Sequence, residues 1–284
     1  MGLIQKKRRA ISVLRKHRGV LVALSGGVDS AALLVLAREA LGSQHVLAVT
    51  GRSASVTGGE IEDAARVARA LGVRHEIVDT RELESPDYRQ NRGDRCFHCR
   101  SELFSILSRA ASERGIAAIA YGAIVDDLGD DRPGMDAARE FGILAPLLDA
   151  GMSKEDARQI ADDAGLHVYD KPASPCLASR IPIGTEVTED RLQEVGRAEA
   201  ALREFGFRLF RVRHHGEIAR LELGDTELQS LESPALRAKV VEQVRAAGFR
   251  FVVVDLVPFR SGSLGAGRQA ARLYSIEPSR LNGQ

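Results

Sequence analysis

Two sets of residues in this 284-residue chain have the types and spacing to do chemistry. The first is the unbroken run Ser25-Gly26-Gly27-Val28-Asp29-Ser30. Two glycines let the backbone turn tightly and bring its N–H groups up to an anion. A helix starting there adds unpaired N–H donors and the positive end of its dipole. Ser25 and Ser30 add hydroxyl donors for phosphate oxygens. No lysine closes the run, so it is not the GxxxxGK[ST] loop. The bland alternative is a Gly-rich strand-to-helix turn that binds nothing; SGGxDS straight after an apolar strand favours phosphate.

The second set is Cys96, Cys99 and Cys176. Cys96-Phe97-His98-Cys99 reads as a CxxC just before a helix, and such a short loop can turn both thiols towards one metal or cluster. Cys176 lies in a Pro-stiffened polar loop between Lys171 and Arg180, and basic neighbours lower a thiol pKa. Three readings stand side by side. The cysteines are small buried apolar residues, or they bind zinc with His98, or three thiolates hold a [4Fe–4S] cluster. The cluster would leave one iron open for an extra ligand, which suits an enzyme whose nucleophile is sulfide.

Other residues are candidates for holding substrate. Strand alternation puts Arg211 and Arg213 on one face, a good geometry for a phosphate, with a solvated sheet face as the alternative. Arg260 adds a third donor group, and Glu199 and Glu222 are candidates for a divalent cation beside that phosphate. Asp126 and Asp127 follow the fourth strand, at the edge where α/β sheets bind ligands, and are candidates for Mg²⁺ or pyrophosphate. Arg52 and Ser53, after the second strand, are candidates for the adenosine side.

The elements that must position these residues alternate. Helix 3–16 precedes strand 19–24, and a helix runs from the SGGVDS loop to about residue 41. Strand 45–50, helix 60–71, strand 75–78, helix 101–114 and strand 117–121 follow, and Ser153 opens another helix with Asp156 as a capping-box partner. This order predicts a parallel sheet with helices on both faces. Pro172, Pro175, Pro182 and Gly184 mark a change over residues 170–187. Beyond it, helix 188–205, a hairpin of 208–213 and 218–223, helix 235–247 and strand 250–254 predict a small α+β unit, with a ferredoxin-like arrangement as the expectation. The expected domains are 1–180 and 181–284.

Forty basic against thirty-nine acidic side chains give a net charge of +1. That balance argues against a protein that grips long nucleic acid. With 44% apolar residues a proper core is affordable without disulfides. The apolar runs are too short for a bilayer or a signal peptide, so a cytoplasmic protein is expected.

The SGGVDS run resembles the loop of the PP-loop ATP pyrophosphatases, whose fold is of the adenine nucleotide alpha hydrolase-like kind. That resemblance implies ATP split between its α- and β-phosphates, an adenylated substrate, pyrophosphate held with Mg²⁺ in the loop, and a nucleophile that displaces AMP. Ser25 to Ser30, Arg52, Ser53, Gly122 and Asp126 are then the expected ATP and pyrophosphate contacts. Asp94-Arg-Cys-Phe-His-Cys-Arg100, Leu128-Gly-Asp-Asp-Arg-Pro-Gly134, Asp170-Lys-Pro-Ala-Ser-Pro-Cys-Leu-Ala-Ser-Arg-Ile-Pro182, Phe210-Arg-Val-Arg-His-His-Gly216 and Phe259-Arg-Ser-Gly-Ser263 together resemble the LarE family of ATP-dependent sulfur transferases.

This second resemblance implies a pyridinium-3,5-dicarboxylic acid mononucleotide as substrate, its carboxylates becoming thiocarboxylates on the way to the nickel-pincer cofactor of lactate racemase. It implies two sulfur sources: a lone cysteine at the position of Cys176 that gives up its sulfur and becomes dehydroalanine, or three cysteines holding a [4Fe–4S] cluster. With Cys96 and Cys99 present, the chain resembles the cluster type. It also implies a sulfur donor, a nickel-inserting protein downstream and a homo-oligomer. Where the family pattern has Gly-Thr-Asn, this chain has Gly122-Ala123-Ile124, which leaves that polar contact either missing or supplied by backbone; Gly265 stands where an asparagine is the pattern. The rivals are a tRNA-thiolating enzyme, an amidating ligase and a non-catalytic nucleotide sensor.

Overall fold

The structure is a computed structural model and describes residues 1–128, 133–172 and 175–259. Four short strands, β1 (Val20–Ala23), β2 (Val46–Arg52), β3 (Arg74–Asp79) and β4 (Ala118–Tyr121), form one sheet in the order β3-β2-β1-β4. Every pairing in it is parallel, with Val20 beside Val46 on one side and Ala118 on the other. Strands buried on both faces read as continuous apolar runs, and β1 does: Val20 and Val22 enter one core and Leu21 the other.

The first of these cores also takes Ala10 and Leu14 of helix Leu3–Leu14, most of helix Val28–Leu41, Ala64 and Val67 of helix Gly58–Ala70, and Ile160 of helix Lys154–Asp163. On the opposite face, Phe104 and Leu107 of helix Arg95–Glu113 pack with Ala137 and Ala138 of helix Pro133–Glu140. The expected parallel sheet covered on both faces is therefore present. Capping boxes fix two helix starts, Thr57 with Glu60 and Ser153 with Asp156.

The chain runs outward from β1 to β2 and β3, then returns to lay β4 on the other side of β1. Such a reversal of strand order leaves a crevice at the carboxyl ends of the two strands on either side of it, β1 and β4. The SGGVDS loop follows β1 and Gly122 follows β4, so both arrive at that crevice.

A second sheet holds β5 (Phe210–His215), β6 (Ile218–Leu223) and β7 (Phe251–Val254) in that order. Helices Glu189–Glu204 and Pro234–Ala246 cover one face, through Leu192, Val195, Ala198, Leu202, Val240 and Val244. β5 and β6 are antiparallel, but β7 runs parallel to β6. That corrects the ferredoxin-like expectation: such a sheet separates the hairpin from the last strand by a further central strand, and here β7 pairs with the hairpin directly. The hairpin turn is also tighter than expected, because β5 continues through His215. The second core includes Tyr88, Leu177 and Ala178, which precede residue 181 in the chain.

Candidate active site

The phosphate loop is held by its own side chains. Ser30 Oγ donates to the Gly27 carbonyl at 3.0 Å and accepts the Ser25 N–H at 3.1 Å. Ser25 Oγ lies 3.1 Å from Ser30 Oγ. Val28, the first helical residue, is buried and anchors the turn. Gly26 has φ +73°, and a Cβ there would stand 2.3 Å from the Glu60 carbonyl oxygen. A Cβ on Gly122 would meet Ser30 N at 2.7 Å, so β4 delivers bare backbone against the loop. Gly26→Ala is expected to cost both positive-φ strain and this clash. ATP affinity measured by calorimetry should fall at least about tenfold, a change of about 1.4 kcal/mol, while the far-ultraviolet circular dichroism spectrum stays native.

Asp29 sits on the first turn behind the loop. Its Oδ2 accepts from Lys154 Nζ at 2.6 Å, and its Oδ1 is buried with no partner. Burial pushes its carboxyl pKa up against the pull of Lys154, with Asp127 and Asp126 adding to the rise. Asp126 caps Lys154 N at 2.9 Å, and Asp127 accepts from Ile124 N at 3.1 Å. An orphaned carboxylate oxygen beside two further carboxylates fits Mg²⁺, which takes one or two carboxylates and fills its shell with phosphate and water.

Arg52 and Ser53 lie nearby in sequence but are otherwise engaged. Arg52 makes a two-point, solvent-exposed pair with Asp79 at 2.6 and 3.1 Å, and Ser53 Oγ accepts from Ser55 N at 3.2 Å.

The cysteine-bearing segment is tied at one end to the phosphate loop and at the other to the turn after β2. Lys171 Nζ donates to the Gly26 carbonyl at 3.1 Å and to Asp63 Oδ2 at 2.7 Å, with His167 2.8 Å from Asp63 Oδ1. The sequence shows no lysine closing the SGGVDS run; one arrives from 145 residues away. At the other end Leu177 N donates to the Ser55 carbonyl at 2.9 Å. Burial would raise the Asp63 pKa, but the hydrogen bonds from Lys171 and His167 outweigh it and hold the carboxyl below its ordinary range. This pair therefore stabilises the fold above the ordinary carboxylate range and loses that contribution as the pH falls through the depressed folded-state value. Melting temperatures of the wild type and Asp63→Asn are expected to differ near neutrality and converge in acid.

Cys96 and Cys99 occupy the first two turns of helix Arg95–Glu113, so the CxxC lies inside a helix rather than before it. Cys96 is exposed, whereas Cys99 and Cys176 pack against the second core. The thiols lie within electrostatic range of one another. Burial raises the Cys99 pKa well above its ordinary value and raises Cys176 as well, despite the pull of Arg95 and Arg180 on the latter. The expectation of an activated Cys176 thiolate is corrected on this point: desolvation outweighs the basic neighbours. Lys171 is turned to Gly26 and Asp63. His98 turns to Asp94, at 3.3 Å.

Among the described residues no three His, Cys, Asp or Glu side chains are drawn together as a ready ligand set. The donor chemistry nonetheless suits a thiolate-bound group, because coordination would offset the cost that burial places on these thiolates.

Behind Cys176 lies a guanidinium cluster. Arg180 and Glu199 are fully buried and paired at 2.7 and 3.1 Å, and Arg180 Nη1 also donates to the Pro175 and Cys176 carbonyls. Glu199 further accepts from Val212 N and Arg203. Arg213 pairs with Glu222 and donates to the Ser179 carbonyl, and Glu222 also takes Arg220. Arg211 donates to the Phe210 carbonyl and lies over the Phe259 ring at 5.1 Å. Burial, with Arg180 close by, pulls its pKa down to about 10. Glu199 and Glu222, expected as cation ligands, are here the counter-ions of arginines. Arg260 lies outside the described residues, as do Gly265 and the middle of the 128–134 motif.

Sequence reasoning missed Lys154, Tyr88 and the loop-closing role of Lys171. The capping box placed Lys154 at a helix start, but nothing local announced its pairing with Asp29.

Fold and loop together define a PP-loop ATP pyrophosphatase. The profile of a family described as NAD synthase matches residues 9–101. A Lactiplantibacillus plantarum protein named pyridinium-3,5-bisthiocarboxylic acid mononucleotide synthase is 34% identical over 274 residues, 96% of this chain and 99% of its own length. An uncharacterized Synechocystis protein is 41% identical over 86% of this chain and 91% of its own. A tRNA-specific 2-thiouridylase of Rickettsia felis is 29% identical over 56% of this chain and 53% of its own. The chain belongs to the LarE family, that of the pyridinium-3,5-bisthiocarboxylic acid mononucleotide synthases.

Proposed function

We propose that the chain is an ATP-dependent sulfur transferase that converts the carboxylates of pyridinium-3,5-dicarboxylic acid mononucleotide to thiocarboxylates, for nickel-pincer cofactor assembly. The carrying observation is the direct tie between the two chemical loops. Lys171 and Leu177 bracket Cys176 and pin its segment to the Gly26 carbonyl and to Ser55.

A carboxylate oxygen of the substrate attacks the α-phosphorus of ATP and pyrophosphate departs, leaving an acyl adenylate. Loop N–H groups, Ser25 and Ser30 bind the departing phosphates. Asp29, with Asp126, would hold Mg²⁺, which offsets their charge when bound. Sulfur then forms a bond to the acyl carbon, and AMP leaves with the former carboxylate oxygen. Cys96, Cys99 and Cys176 would hold a [4Fe–4S] cluster, which supplies a sulfide that is deprotonated near neutral pH. Arg211 and Arg213, with Arg260, receive the substrate phosphate, an anion that would relieve the mutual repulsion of the cluster around Arg180.

The domains are residues 1–180 for ATP and 181–284 for substrate. The protein works in the cytoplasm as a homo-oligomer, fed by a sulfur donor and followed by a nickel-inserting protein. Among the described residues no helix is long and apolar enough to cross a membrane.

The test is anaerobic incubation with ATP and the dicarboxylate mononucleotide, reading AMP, pyrophosphate and oxygen-for-sulfur exchange by mass. Iron and acid-labile sulfide are measured on the same protein. About four irons per chain support the cluster; no iron together with dehydroalanine at position 176 assigns the sulfur to Cys176 itself; absence of substrate-dependent AMP overturns the function.

A further inference from the structure

Tyr88 lies in the five-residue helix Pro86–Gln90, within a polar loop. Its side chain is 1% exposed and belongs to the second core, against which Cys99 and Cys176 also pack. The phenol oxygen is 2.6 Å from Ser55 Oγ. Ser55 is itself buried, and its carbonyl takes the N–H of Leu177, the residue after Cys176. Two groups thus stand between the Tyr88 hydroxyl and the backbone that carries the sulfur-bearing residue.

The far side of the same segment is fixed by the residue that ends the Tyr88 helix. Asn91, at φ +51°, donates from Nδ2 to the carbonyls of Pro182 at 2.8 Å and Thr185 at 3.0 Å. Gly184 N returns to the Asn91 carbonyl at 2.9 Å, and Val187 N bonds to Arg89 O at 2.8 Å. Asn91 Oδ1 also accepts from Arg95 at 2.7 Å, on the helix that carries Cys96 and Cys99. One short helix therefore touches the mountings of all three cysteines. Its buried phenol is given to Ser55. A buried hydroxyl must be paired, and pairing two of them fixes the orientation of both.

We propose that Tyr88, acting through Ser55, is a positioning residue that fixes the backbone carrying Cys176 and so places the sulfur held there, whether cluster-borne or its own, against the adenylated carboxylate. This rests on the sulfur-transfer reading above. The hydroxyl touches no reacting atom in this arrangement. Misplacing a reacting group by about 1 Å can cost about a hundredfold in rate, so a lost hydrogen bond at this remove reaches the second half-reaction and spares the first.

The experiment separates the two halves of the reaction in Tyr88→Phe, which keeps the ring and removes only the oxygen. Substrate-dependent exchange between ATP and labelled pyrophosphate reports adenylation; thiocarboxylate formation reports sulfur transfer. Expected is exchange within about twofold of wild type and a sulfur-transfer rate lowered about tenfold or more. Ser55→Ala should give the same split, and the double variant should lose no more than either single one; Ser55→Ala also carries the test if Tyr88→Phe does not fold. A second readout is alkylation of the metal-free chain by iodoacetamide, followed by peptide mass: the Cys176 rate should change in Tyr88→Phe while that of exposed Cys96 holds. Equal loss in both half-reactions, or loss in neither, overturns the positioning role. A wild type with no substrate-dependent exchange would instead overturn the sulfur-transfer reading, leaving the alkylation result to decide on Tyr88.

Discussion

Glu199→Ala should destabilise the folded chain by about 3–5 kcal/mol, the usual result of removing one partner from a buried ion pair. Total stabilities run to about 5–15 kcal/mol, so a denaturant midpoint would move far. The loss exceeds one hydrogen bond because Arg180 is left charged and almost completely enclosed. Its remaining acceptors are the carbonyls of Pro175 and Cys176 and the Ser179 hydroxyl. Glu199 also accepts from Val212 N, and that backbone donor loses its partner too. Urea unfolding with and without a chelator checks this. A loss below about 1 kcal/mol would mean that the pair is solvated. A loss that vanishes when chelator is present would return Glu199 to a cation.

Cys176→Ala should stop sulfur transfer by about a thousandfold or more, the scale at which removal of an essential nucleophilic group is felt. Adenylation should persist, since Ser25 to Ser30 and Lys171 keep their contacts. Parallel loss of pyrophosphate exchange would show that the thiol also serves the first step. Cys99→Ala distinguishes the sulfur sources: repeated turnover disappears if three thiolates carry the sulfur, and a single sacrificial turnover survives if Cys176 acts alone.

Much of this site was legible because its causes are local. An apolar run, two glycines and an Ala/Leu-rich stretch specify strand, turn and helix within about twenty residues, so the phosphate loop and its sheet followed directly. The start of helix Arg95–Glu113 did not. Asp94 stands at its N-cap without making a side-chain cap bond, and Cys-Phe-His-Cys carries no periodic apolar pattern to mark a first turn. The thiol chemistry failed for another reason. Sequence shows which charges flank Cys176 but not how far water is excluded, and here exclusion decides the direction of the shift. Arg180 was legible as a basic neighbour, whereas its partner Glu199 lies on a helix whose packing only the folded chain reveals. Tyr88 gave no signal, because its role depends on Ser55 and Leu177, far away along the chain.

The second core begins before the second unit does. Tyr88, Leu177 and Ala178 sit among Val195, Leu202 and Val212, so the hydrophobic interior under the second sheet is completed by side chains threaded in from the nucleotide-binding half. A fragment starting at residue 181 would emerge with those places empty. Folding of the two halves is therefore expected to be a single cooperative event.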